Sequence, residues 1–217
     1  MYVSVFAYFC AMEHIMRFLS APFIWLARFR YRKGFGIQSP FAYHFICDVI
    51  NGNGEYYAFR ELRAERRGLY QSACGNSLKM DKLLFRLANF AHPATIFAPE
   101  QGMFIGRRYL SEGCTSATLY VFRDSGDLRN TLSLVKTVGL LYLDSTLDYA
   151  NIFKLAFPFL SAQSLVIIKG IHHNSDVRRW WESLKEDPRI VLSFDIFDAG
   201  ILLFDHNYVK QNYIVNF

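Results

Sequence analysis

The sequence predicts an α/β domain built on a mostly parallel sheet and closed by an antiparallel hairpin. Three observations carry that expectation. From Thr95 onward, short apolar runs alternate with amphipathic stretches of helical period, the pattern of parallel strands joined by crossover helices. Near the end, Ile190 to Phe197 and Gly200 to Asp205 are two strand-like runs joined at Asp198-Ala199, a gap too short for a helix. The 217 residues are 52% hydrophobic and 20% charged, enough apolar mass to fill a core on both faces of such a sheet.

The elements follow in order. Met1 to Ala27 is apolar but is interrupted by Glu13, His14 and Arg17. No run reaches the ~18 apolar residues of a membrane span, and no cleavable signal is evident. It reads as an amphipathic helix that packs on the domain or on a second subunit, with binding to a membrane surface as the alternative. The chain therefore divides into this segment, 1–33, and one α/β domain, 34–217, whose first part, 34–92, is helical. Gly34 to Phe41 is a loop leading into a helix, with Ser39 as cap and Pro40 in the first turn. That helix runs to about Ile50 and stops at Asn51-Gly52-Asn53-Gly54. Tyr56 to Tyr70 is a charged helix, and its Arg60, Arg63, Arg66 and Arg67 read as a solvated face. A further helix carries Leu83, Leu84, Leu87 and Phe90 on one side and ends near His92-Pro93.

Strands are then expected at Thr95 to Ala98, Ala117 to Phe122, Leu140 to Leu143 and Ser164 to Ile168. Helices are expected between them at Met103 to Ser111, Leu128 to Val138 and Ile152 to Leu160. Val177, Trp180, Trp181 and Leu184 mark a last helix, capped by Asn174 or Ser175 and closed before Pro188. Tyr213 to Phe217 adds a little more strand.

Composition narrows the function classes. The net charge is +5, with a basic run at Arg28, Arg30, Arg32 and Lys33. No stacking aromatics repeat within that run and no nucleic-acid motif follows it, so it reads as a solvated face and no nucleic-acid partner is expected. Cys10, Cys47, Cys74 and Cys114 lack metal-type spacing and fit a reducing, cytoplasmic compartment. The 21 Phe and 13 Tyr read as a Phe-rich core rather than as a contact surface.

Three stretches resemble a family of bacterial class I S-adenosylmethionine-dependent methyltransferase-like proteins. They are the G-x-G-[IV]-x-SPF stretch at Gly34 to Phe41, the strand Leu140 to Asp144, and the tail from Ser164 to Phe217. The tail holds Ile171-His172, a Trp-containing helix and an Asp-Ile-Phe-x-x-Gly hairpin. The resemblance implies a Rossmann-like three-layer sandwich with a cofactor across the carboxyl ends of the first strands. It also points to Ala98, Gly102, Asp124 and Asp144 as the positions that would line S-adenosylmethionine if it binds. Asp144 and His172 are the candidates for catalysis.

This chain departs from the family pattern where the cofactor should lie. Ala98 stands at the position of an acid. Glu100 and Phe104 fall at glycine positions, leaving Gly102 in the turn and Gly106 in the following helix. Arg123 takes the place of the ribose-binding acid, with Asp124 one residue later. These departures imply weak or absent S-adenosylmethionine binding. The span from Phe122 to Leu140 is too short for the usual third strand, which predicts the order 2-1-4-5-7-6 in the family's strand numbers. Lys169 follows the strand where a second metal-binding carboxylate would stand, so no metal is expected there. His172 and His173 read as loop histidines, since adjacent residues seldom chelate one ion alone. A non-catalytic binding or partner subunit is the leading expectation, with a homodimer through the N-terminal helix. The alternatives are an active O-methyltransferase-like enzyme on a small molecule and a membrane-surface adaptor.

Overall fold

The computed structural model describes residues 26, 28–69, 75–144 and 147–217. The helix expected over Met1 to Ala27, with its dimer and membrane roles, lies outside the described residues apart from Leu26, as do Cys10 and Cys74. Among the described residues, no helix is long and apolar enough to cross a membrane.

The helical part begins with a 3-10 turn, Phe29–Gly34, and α1, Pro40–His44. Ser39 caps α1 as expected, its Oγ accepting from the Ala42 amide at 3.3 Å. The chain then loosens into π-helical turns over Phe45–Ile50, an element that apolar periodicity does not distinguish from an ordinary helix. Helix α2 is Ala58–Arg67, and α3 is Leu78–Ala91 with Ser77 as its cap.

The sheet strands are β1 (Thr95–Pro99), β2 (Thr118–Phe122), β3 (Val138–Asp144), β4 (Leu160–Lys169), β5 (Leu192–Asp195), β6 (Ala199–Leu203) and β7 (Gln211–Ile214). Their order is β2-β1-β3-β4-β6-β5-β7. The first four run parallel, and β6 is antiparallel to both β4 and β5. This is the expected order, with β7 added beside β5 in parallel. Among the described residues strand β2 is an edge, and the stretch between Phe122 and Val138 holds a helix and no strand.

The connecting helices are α4 (Phe104–Gly113), α5 (Ser125–Leu132), α6 (Tyr149–Ala156) and α7 (Ser175–Glu186). Two cores sandwich the sheet, and the strands feed them by alternation, broken in β3 by a register shift between Val138 and Leu140. Leu140 and Tyr142 join Ile96, Ala98, Leu165 and Ile167 under the helical part. Leu141 and Leu143 join Phe97, Val166, Ile168 and Trp181 on the opposite face. Phe41, Phe45 and Phe90 pack together, and Phe45 meets Phe194, which stacks on Tyr213, so much of the aromatic content is core.

Three expectations are corrected. Helix α5 starts at Ser125 rather than Leu128, because Asp124 caps it: Asp124 Oδ1 accepts from the Asp127 amide at 2.8 Å. The hairpin turns at Ile196 to Asp198, and Ala199 already pairs with Lys169. Phe197 holds the turn at φ 72, a conformation unusual for Phe. Its ring stacks on His172 and its amide donates to Asp195 Oδ1 at 2.8 Å, contacts invisible from local sequence. Lastly, Arg28 and Arg66 are not solvated. Arg28 pairs with Asp195 at 2.9 Å, and Arg66 pairs with the fully buried Asp81.

Candidate functional site

In an open α/β sheet the ligand crevice lies beyond the carboxyl ends of the parallel strands. Strand β1 delivers Ala98 and Pro99 there, both buried. The following turn is tied to the neighbouring strand by the Glu100 amide, which donates to Phe122 O at 2.8 Å. Gly102 takes φ +65 in this turn, a conformation that favours glycine. Arg107, one turn into α4, donates to Pro99 O at 2.7 Å and also to Glu100 O, so a guanidinium closes the turn from the helix side.

Strand β2 delivers Arg123 and Asp124, both exposed. Each is engaged at the start of α5. Arg123 Nε reaches Asp127 Oδ2 at 3.3 Å, and Asp124 serves as the cap.

Strand β3 ends at Asp144, buried, and the register places it beside Lys169 at the end of β4. Lys169 Nζ lies 3.2 Å from Asp144 Oδ2 and donates to Gly75 O at 2.9 Å. One ammonium thus joins β3, β4 and the loop before α3. That loop also presses on the turn after β1. Gly75 sits at φ +69, and a Cβ there would fall 1.7 Å from Gly102 O. Only glycine permits such an approach of two backbones.

The structure therefore brings Ala98, Gly102, Asp124 and Asp144 to one end of the sheet. His172 has other partners. Its Nε2 lies 2.9 Å from Asp195 Oδ2, its ring stacks on Phe197, and Arg28 holds Asp195 Oδ1 from the other side. Burial pushes the Asp195 carboxyl up, but the His172 hydrogen bond, the Arg28 charge and the Phe197 amide together hold it below the usual carboxylate range.

Sequence reasoning missed a polar cluster beneath the site. Arg66 pairs with Asp81 and donates to Asn76 O at 2.7 Å, and Tyr142 OH donates to Asn76 Oδ1 at 3.3 Å. Burial raises Asp81 to about 6, opposed chiefly by Arg66, and raises Tyr109 to about 12. Asp81 Oδ1, Asn76 Nδ2 and Tyr109 OH are buried without a hydrogen-bond partner. The available signal was a carboxylate among Met80, Leu83 and Leu84 on the apolar side of α3.

A divalent cation does not suit Asp144 here, because Lys169 already sets a positive charge against that carboxylate. Among the described residues, no three His, Cys, Asp or Glu side chains gather into a metal-type group.

Solved structures share this arrangement of strands and helices. An SAH-bound methyltransferase from Podospora anserina matches with a TM-score of 0.50 and 16% identity, over 76% of this chain and 96% of that one. The chain has the class I methyltransferase fold. A putative caffeoyl-CoA O-methyltransferase from Staphylococcus aureus also matches with a TM-score of 0.50, at 12% identity over 73% of this chain and 96% of that one. No protein-family model matches the chain, and no curated protein matches its sequence. At these identities the likeness extends to fold alone.

Proposed function

We propose that this methyltransferase-fold protein has lost a working S-adenosylmethionine site and acts as a non-catalytic binding or partner subunit. The observation that carries the reading is the Lys169 bridge. It neutralises Asp144 and ties it to the Gly75 backbone, which itself rests on Gly102. S-adenosylmethionine brings a sulfonium cation, and the carboxylates expected to receive the cofactor are absent or engaged: Ala98 offers none, Asp124 caps α5, and Asp144 is paired with Lys169. Calorimetry with about 100 μM S-adenosylmethionine, an ordinary level for a small-molecule substrate, is expected to show no binding heat. A micromolar dissociation constant would overturn the reading.

Two observations favour an active enzyme as the second reading. Gly102 keeps the left-handed turn after β1, and Asp144 keeps its place at the end of β3. Methyl transfer asks mainly for aligned donor and acceptor, so a displaced Lys169 would leave the geometry serviceable. Turnover of labelled S-adenosylmethionine by the full chain separates the two.

A further inference from the structure

A cavity of about 610 Å³ lies away from the strand ends, between α3, the loop Asn51 to Glu55 and the residues Asn216 and Phe217. Its chemistry is basic. Lys79, Lys82 and Arg86 all line it, and their i, i+3, i+7 spacing sets them along one face of α3. Arg86 is anchored, Nε donating to Val49 O at 2.6 Å and Nη2 to Ile50 O at 2.9 Å. Lys82 meets Glu55 at 2.9 Å. Lys79 lies over the Phe217 ring, 4.0 Å from its centroid. Against the three cations the lining sets one acidic side chain, Glu55, and Asp198 lies near enough to act on Lys79, which still leaves a net positive charge.

The facing loop supplies donors. Asn51 lines the cavity, and its buried Nδ2 lacks a hydrogen-bond partner. Among the described residues, the amides of Gly52, Asn53 and Gly54 donate to no protein acceptor. Gly52 allows the loop to fold against the preceding helical turns, since a Cβ there would meet Asp48 O at 2.1 Å. Cations on α3 thus face a loop whose buried Asn51 side-chain amide has a donor to spare, a lining that suits a multiply charged anion.

We propose that this cavity is a binding site for a small molecule carrying a diphosphate or two neighbouring phosphoryl groups. The span decides against a single phosphate. Seven residues of helix separate Lys79 from Arg86, roughly 10 Å along the axis. The volume exceeds what a diphosphate fills, and Phe217 and Ile50 offer apolar wall to the remainder of the ligand. The site is separate from the strand ends and does not depend on whether S-adenosylmethionine binds there.

The test uses inorganic pyrophosphate with the full chain in about 0.15 M salt, followed by calorimetry and by amide NMR. Wild type is expected to bind saturably, with a dissociation constant below about 1 mM. Lys79→Ala should weaken binding about tenfold or more, while Lys136→Ala, an exposed lysine elsewhere, should leave it unchanged. The amide resonances of Gly52 and Gly54 should move during the titration. No saturation up to about 10 mM overturns the proposal. So does equal weakening by Lys136→Ala, which would indicate only general charge attraction, and so does binding that leaves the Gly52 and Gly54 resonances unmoved.

Discussion

Two buried aspartates respond to pH in opposite ways. Asp195 titrates below the ordinary carboxylate range in the fold, so its contribution to stability is present above about pH 4 and is lost as the pH falls through its depressed value. Asp81 titrates at about 6 in the fold, above its unfolded value. Its contribution is full below about pH 4 and is lost as the pH rises through about 6. Urea denaturation of Asp81→Asn across that range should therefore lose a pH-dependent decline of roughly 3 kcal/mol that wild type shows. Arg28→Ala strands Asp195 in a site with little solvent and should destabilise the chain by about 3 kcal/mol. Neither partnership could be read locally. Arg28 lies in a basic run that looks solvated, and Asp195 is 167 residues away.

At the scale of elements, the signals that worked were those completed within a few residues. Ser39-Pro40 starts α1, and Asn174 caps α7 by accepting from the Asp176 and Val177 amides, each at 2.9 Å. Asn174→Ala should cost about 1 kcal/mol, read as a lower denaturation midpoint. The start of α5 was missed because the apolar phase begins at Leu128, a turn after the cap at Asp124. Asp124→Ala tests what that residue does: as a cap its loss costs about 1 kcal/mol, and no ligand affinity should change with it. Gly75 is a sterner case. A methyl there meets the Gly102 carbonyl at 1.7 Å, so Gly75→Ala should force the loop off the turn and destabilise by about 2 kcal/mol or more. If S-adenosylmethionine binding appeared in that variant, the loop would be what excludes the cofactor.

At the scale of the whole molecule, the described residues place no strand beyond β2 and add one, β7, beside β5. The missing strand was legible as a length, since the residues after Phe122 suffice for α5 alone. Strand β7 was half legible, and it begins at Gln211 rather than Tyr213. The described fold reaches back to Arg28, which also donates to Val215 O at 3.4 Å and so helps fasten the end of the chain. Removing residues 1–30 should then lower the thermal midpoint by several degrees, through loss of Arg28, in addition to any change of oligomeric state seen in sedimentation. Removing residues 1–25, which keeps Arg28, should lower it less, and equal effects of the two truncations would contradict the anchoring role of Arg28.

What the sequence determined by itself was the class of architecture, while the strand order came with the resemblance to the methyltransferase-like family and with the short span after Phe122. Alternating periodicity, chain length between apolar runs and short-range capping are all written within tens of residues. It also located Ala98, Gly102, Asp124 and Asp144 at one end of the sheet, because parallel strands place all their carboxyl ends together. What only the tertiary structure decided was the company those residues keep. Lys169 reaches Gly75 across 94 positions, and Arg66, Asp81, Asn76 and Tyr142 meet under the sheet from four separate elements. A charged side chain buried by folding takes whichever partner the packing leaves within reach, and no local pattern encodes that distance.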